Sequence, residues 1–171
     1  MFISQLKPDD PYHSEGIIVA RKLRKGEIHA ETSVVTILEA ASVASRMYHH
    51  AMGNKENADE RKVFVVKTLK MLAGLVKFVH MAGDAPLELG TMQTYVPNIF
   101  NESILLSIQT TLRTLDLMHV AAARHAKQNN GELGAFVTGD EGLLLQKEHL
   151  SRITGMPFLS PREYVRGLGL K

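Results

Sequence analysis

Tyr12, Val19, Ala20 and Leu23 repeat at helical spacing and form one apolar face. Asp10-Pro11 ahead of them reads as an N-cap followed by proline at the first helical position. Gly26 ends this helix, with Arg21, Lys22, Arg24 and Lys25 in its last turns. The pattern predicts a second helix over 33–46. A third, over 57–73, opens with acids and carries Val65, Val66, Leu69, Leu72 and Ala73 inward. After a stop at Gly74, Leu75 to Met81 reads as a strand. Two more helices are predicted over 101–112 and 114–128. Ala135-Phe136-Val137 is wholly apolar, as suits a parallel strand buried on both faces. A helix over 141–150 follows, then an edge strand at Met156-Pro157-Phe158-Leu159, where a proline is tolerated. Ser160-Pro161-Arg162-Glu163 opens a final helical turn. Gly53 to Asn57 is polar, and Gly83 to Pro97 holds two prolines and two glycines, so both read as loops. Helices alternating with short apolar strands predict an α/β fold, a parallel sheet with helices on both faces.

Composition narrows the chemistry. A length of 171 residues suits one domain, and no repeat or linker divides it. With no cysteine, a disulfide framework, a thiolate metal site and a cysteine nucleophile are excluded. No tryptophan and only 6% aromatic residues leave no evident stacking platform for single-stranded nucleic acid. A net charge of +2 permits an anionic partner without arguing for one. No apolar run approaches a membrane span. The opening Met-Phe-Ile-Ser-Gln-Leu-Lys-Pro has no signal-peptide core, so the expected compartment is the cytoplasm.

Three acids stand in apolar surroundings. Glu39 is the only charged residue between Thr32 and Ser45. A helix apolar on nearly every side is expected to be buried, and a lone carboxylate there needs a partner or a metal. The alternative is a capping box from Thr36 to Glu39. Asp116 repeats the pattern within Leu115-Asp116-Leu117-Met118-His119-Val120. It is either a site residue or a first-turn acid favoured by the helix dipole behind a Thr114 cap. Asp140 follows the strand at 135–137, where ligands bind in open parallel sheets. Thr138 and Glu141 have the spacing of a capping box of their own, which would leave Asp140 free to point elsewhere. Clustered acids persist best around a divalent cation, and an oxygen-only set suits Mg²⁺ or Mn²⁺ rather than zinc.

Other motifs are weaker. His49 and His50 point to different sides of a helix, and no pair of histidines has zinc-site spacing. There is no phosphate loop and no nucleophile elbow. His119, one turn from Asp116, reads as a ligand, a supporting residue or a hydrogen-bonded core histidine. The basic group at Arg21–Lys25 suits either nucleic acid or a solvated helix end. The eight methionines read as core filling.

Five segments resemble a known family. Thr114-Leu-Asp116-Leu-Met-His-Val-Ala-Ala-Ala, Phe136-Val-Thr138-Gly-Asp140-Glu-Gly-Leu-Leu and Leu159-Ser-Pro-Arg-Glu-Tyr-Val are similar to the C-terminal half of PIN domains. Ser33-Val-Val-Thr-Ile-Leu-Glu39-Ala resembles that family's second motif. Phe2 to His13 resembles the segment after its first motif. The resemblance covers nearly the whole chain as a single domain, 1–171. It implies a three-layer α/β/α sandwich around a mainly parallel central sheet. It also implies a metal-dependent endoribonuclease, commonly the VapC-like toxin of a toxin–antitoxin pair, often a homodimer. Glu39, Asp116 and Asp140 would be its catalytic and metal-site acids, Mg²⁺ or Mn²⁺ its cofactor, RNA its substrate and an antitoxin its protein partner. Thr138 matches the hydroxyl residue before the last acid. The family's first strand and leading aspartate would precede Phe2 and are expected to be missing. The competing expectations are a catalytically silent PIN-like module that binds RNA or protein, and a plain α/β ligand-binding domain whose acids are structural.

Overall fold

A computed structural model describes residues 9–55, 57–89, 91–129 and 131–169. The resemblance read on residues 2–8 lies outside them, as does Glu56 of the expected loop. The fold is mixed α/β, and the chain divides into two compact units, residues 1–78 and 79–171.

The first unit begins with α1, His13–Arg24, which buries Gly16, Val19, Ala20 and Leu23. Asp10 is not its N-cap. The Asp10 carboxylate accepts from the Tyr12 N–H at 2.9 Å and its carbonyl from the His13 N–H, so Asp10 closes a turn that precedes the helix. Gly26, at φ +69°, ends the helix as its sequence position suggests. Strand β1, Glu31–Ser33, pairs with β2, Lys77–Val79, the core of the expected 75–81 strand. Between them lie α2, Val35–Met52, a single 3-10 turn at Gly53–Lys55, and α3, Ala58–Ala73.

Helices α2 and α3 pack together. The Tyr48 ring meets Phe64 at 5.9 Å and its hydroxyl donates to Glu60 Oε2 at 2.8 Å. Asn57 caps α3 by accepting from the Asp59 N–H. The inward face of α3 is narrower than its apolar pattern suggests. Thr68 and Leu72 are buried, whereas Val66 and Ala73 are exposed. Helix α2 is likewise not buried all round. Val35, Thr36, Ala40, Val43, Ala44 and Tyr48 face inward, but Leu38 is 70% exposed.

The second unit opens with an antiparallel hairpin of β3, Asp84–Leu89, and β4, Met92–Pro97, in register from Asp84↔Pro97 to Leu89↔Met92. Within the segment expected as a loop, Asp84–Leu89 and Met92–Pro97 are thus paired strand. Pro86 is tolerated because, among the described residues, β3 and β4 pair only with each other, so each has an open edge. Helices α4, Asn98–Ser107, and α5, Thr114–Asn129, pack against each other.

Strand β5, Phe136–Val137, lies parallel to β6, Phe158–Leu159, with Phe136↔Phe158 and Val137↔Leu159 in register. The expected 141–150 helix is two helices, α6 at Glu141–Leu145 and α7 at Lys147–Thr154, broken at Gln146. Helix α8, Pro161–Gly167, closes the fold with a complete capping box between Ser160 and Glu163. The core of this unit gathers Leu106, Leu117, Val120, Leu143, Leu150 and Phe158 from α4, α5, α6, α7 and β6. Among the described residues no helix is long and apolar enough to cross a membrane.

Candidate functional site

Thr138, Asp140, Ser160 and Glu163 follow the carboxyl ends of β5 and β6. Two backbone bonds hold the strands in step: the Phe136 N–H donates to Pro157 O at 2.9 Å, and the Thr138 N–H to Leu159 O at 3.0 Å. The Phe136 and Phe158 rings stack with centroids 4.4 Å apart. An aromatic pair of that geometry adds stability beyond the area it buries. The ladder therefore delivers residues 138–140 and 160–163 side by side, each group leading into a helix.

Asp140 sits where β5 turns into α6. It is exposed, its backbone is extended, and its Oδ1 accepts from the Leu143 N–H at 3.1 Å. That makes Asp140 the N-cap. Thr138 is not the cap of a box with Glu141, as its spacing suggests. Thr138 is buried instead, and its hydroxyl accepts the Asp140 N–H at 3.1 Å. The hydroxyl before the acid thus fixes the backbone of the acid. Gly142 makes room for the carboxylate, because a Cβ there would lie 3.0 Å from Asp140 Oδ1. Gly142 escaped the sequence reading, and its signal was its place two residues past a candidate site acid.

Next to it, Ser160 accepts from the Glu163 N–H at 3.2 Å, and Glu163 Oε2 accepts from the Ser160 N–H at 2.7 Å. Lys147 donates to Glu163 Oε1 at 3.0 Å. The Ser160 backbone N–H first, then Lys147 and the Ser160 hydroxyl, bring the Glu163 carboxyl down to about 2 from an ordinary value of 4.5. Glu163 is ionised throughout the physiological range, with both of its oxygens engaged. The Ser-x-x-Glu spacing at 160–163 was the signal available in the sequence for this box.

Asp116 lies in the first turn of α5 and is half-buried. The helix begins at Thr114, so that threonine is the first helical residue rather than the cap. Leu117 follows Asp116, Leu143 is held by Asp140, and both leucines belong to one core cluster. Each acid of this unit is thus followed, at one and at three residues, by a leucine of that cluster.

Glu39 lies in the first unit, on α2, and is half-buried rather than enclosed. The Thr36–Glu39 box does not form, because α2 begins at Val35 and the Thr36 hydroxyl shares a 2.8 Å hydrogen bond with Thr32. Neither Glu39 nor Asp116 is without a partner.

Among the described residues no three histidine or acid side chains gather around one point. Mg²⁺ does not require such a group, since it keeps several waters and is held by one or two carboxylates. The donors at hand are carboxylate oxygens, and they fit a hard divalent cation in kind. Comparison with protein-family models, curated proteins and solved structures finds no match to the chain.

Proposed function

We propose that the chain is a divalent-cation-dependent endoribonuclease of the PIN type. Asp116 and Asp140 are its acids in the second unit, and Glu39, in the first, is a further acid that the sequence resemblance implies. The observation that carries the reading is the placement of Asp140. It emerges two residues beyond Thr138, whose N–H makes the last backbone bond between β5 and β6, at the start of a helix. Ligands of open parallel sheets bind at that edge.

Asp116 and Asp140 would hold Mg²⁺ or Mn²⁺, which would supply charge for the phosphate and activate water for in-line attack. Thr138 fixes the backbone of Asp140, and Gly142 leaves its carboxylate the space it occupies. The three-layer α/β/α sandwich, the toxin role with an antitoxin partner, the homodimer and the cytoplasmic location belong to the same proposal.

One observation favours a second reading, a silent PIN-like module that binds RNA or protein. Asp140 Oδ1 already serves the Leu143 N–H. Cleavage assays on single-stranded RNA, with and without Mg²⁺, separate the two. The nuclease reading expects Mg²⁺-dependent products that Asp140→Asn abolishes, whereas the module binds RNA or protein and yields no products.

A further inference from the structure

The basic end of α1 is not used by the acidic site. Residues 1–78 hold twelve Lys and Arg against nine Asp and Glu, whereas residues 79–171 hold eight against nine. Four of the five residues 21–25 are basic, and Glu27 answers only two of them. It pairs with Lys22 at 2.6 Å and with Lys25 at 3.7 Å. Arg21 and Arg24 are exposed and form no ion pair among the described residues. They stand three apart, and Arg21 stands four before Lys25, so all three lie on one side of the helix.

Like charges at those spacings destabilise a helix. The helix dipole rewards a cation in the last turn, but it does not call for four. A helix end that carries this repulsion, with two guanidinium groups left unanswered, is suited to an external anion. Guanidinium forks match phosphate oxygens in a bidentate fashion.

We infer that Arg21 and Arg24 form a phosphate-binding surface for the backbone of single-stranded RNA. The inference rests on the proposed ribonuclease reading for its choice of polyanion. The surface is read by the fluorescence anisotropy of a labelled, unstructured RNA oligonucleotide with the full chain in EDTA, where metal-dependent cleavage is off. Arg21→Gln combined with Arg24→Gln should weaken binding about five- to tenfold at low salt. It should also flatten the log K against log [salt] slope by about 1.4, since each lost single-strand phosphate contact removes about 0.7. Arg152→Gln with Arg166→Gln makes the same change of charge on exposed residues of the second unit and should leave both quantities unchanged. The α1 double variant should melt no lower than the wild type, because it relieves like-charge repulsion.

Equal losses in the two double variants would overturn the inference, as would the absence of RNA binding at 50 mM salt. Binding to phosphatidylserine vesicles that is tighter than to RNA and is lost in the α1 variant would assign the surface to a membrane instead. Cleavage is read separately with Mg²⁺. A chain that binds RNA through Arg21 and Arg24 without cutting it refutes the nuclease and leaves this surface standing. A chain that cuts RNA while the α1 variant keeps full affinity refutes the surface alone.

Discussion

Asp140 has one observed role and one proposed role, and substitution can separate them. Its Oδ1 caps α6 through the Leu143 N–H, and the proposed site needs its negative charge. Asp140→Ala removes the cap and leaves that N–H without its acceptor. The loss should be about 1 kcal/mol, within the range of about 0.5–2 for N-cap truncations. For a chain of 150–250 residues that is a fall in melting temperature of about 2–4 °C. Asp140→Asn keeps an acceptor oxygen in the same place and gives up only the charge–dipole contribution, about 0.3–1 kcal/mol at an exposed helix end. In EDTA, Asn should therefore melt closer to the wild type than Ala does.

Mg²⁺ then reads the second role. A cation present at ten times its dissociation constant adds about 1.4 kcal/mol to a fold that binds it only when native. The wild type should show that rise, and both variants should lack most of it. Circular dichroism melts at 222 nm, with EDTA and with millimolar Mg²⁺, give all six values. Equal losses for Asn and Ala in EDTA would refute the capping role. A full Mg²⁺ response in Asp140→Asn would remove Asp140 from the metal site.

Other outcomes follow from the second unit. Phe158 is buried and stacked on Phe136, so Phe158→Ala should destabilise the chain by about 3–5 kcal/mol in urea unfolding. A change below 1 kcal/mol would mean that the ring is not in the core. Glu163 has a lower pKa folded than unfolded, so its stabilising effect is complete above about pH 4.5 and is lost as the pH falls toward about 2. The gap in melting temperature between the wild type and Glu163→Gln should shrink between those pH values, and a gap constant with pH would contradict the box. Gly155 ends α7 at φ +72°, so Gly155→Ala should cost about 1–2 kcal/mol while Gly131→Ala, with nothing near its Cβ position, should not. Similar melting temperatures for the two would refute the left-handed cap.

The fold was legible where local chemistry agrees with the tertiary environment. Phe136-Val137 and Phe158-Leu159 are apolar on successive residues, and they pair as parallel strands. Asn57 and Gly26 bound their helices as turn chemistry requires. The β3–β4 hairpin was hidden because Pro86 and two glycines outweigh a weak alternation. The usable signal was Gly90-Thr91, a two-residue separator between two strand-length runs.

The single 141–150 helix was an error of continuity, since nothing in Leu144-Leu145-Gln146-Lys147 marks a break by propensity. Helix α2 misled in another way. An apolar pattern does not say which faces are covered, and Leu38 lies on an open one. Of the candidate site, sequence showed which acids lack polar neighbours along the chain. It did not show that Asp140 is itself the cap, because Thr138 and Asp140 are both acceptable caps and only the start of the helix decides between them.

The proposed nuclease needs Asp116 and Asp140 for metal-dependent RNA cleavage. The most direct measurement incubates the chain with single-stranded RNA in Mg²⁺ and in EDTA, beside Asp116→Asn and Asp140→Asn, and follows the products by gel. Cleavage is expected in Mg²⁺ only, with a loss on the order of a hundredfold or more in each variant, as for removal of a strong electrostatic contributor. Cleavage that persists in EDTA, cleavage that survives either substitution, or no cleavage by the unaltered chain would contradict the proposal.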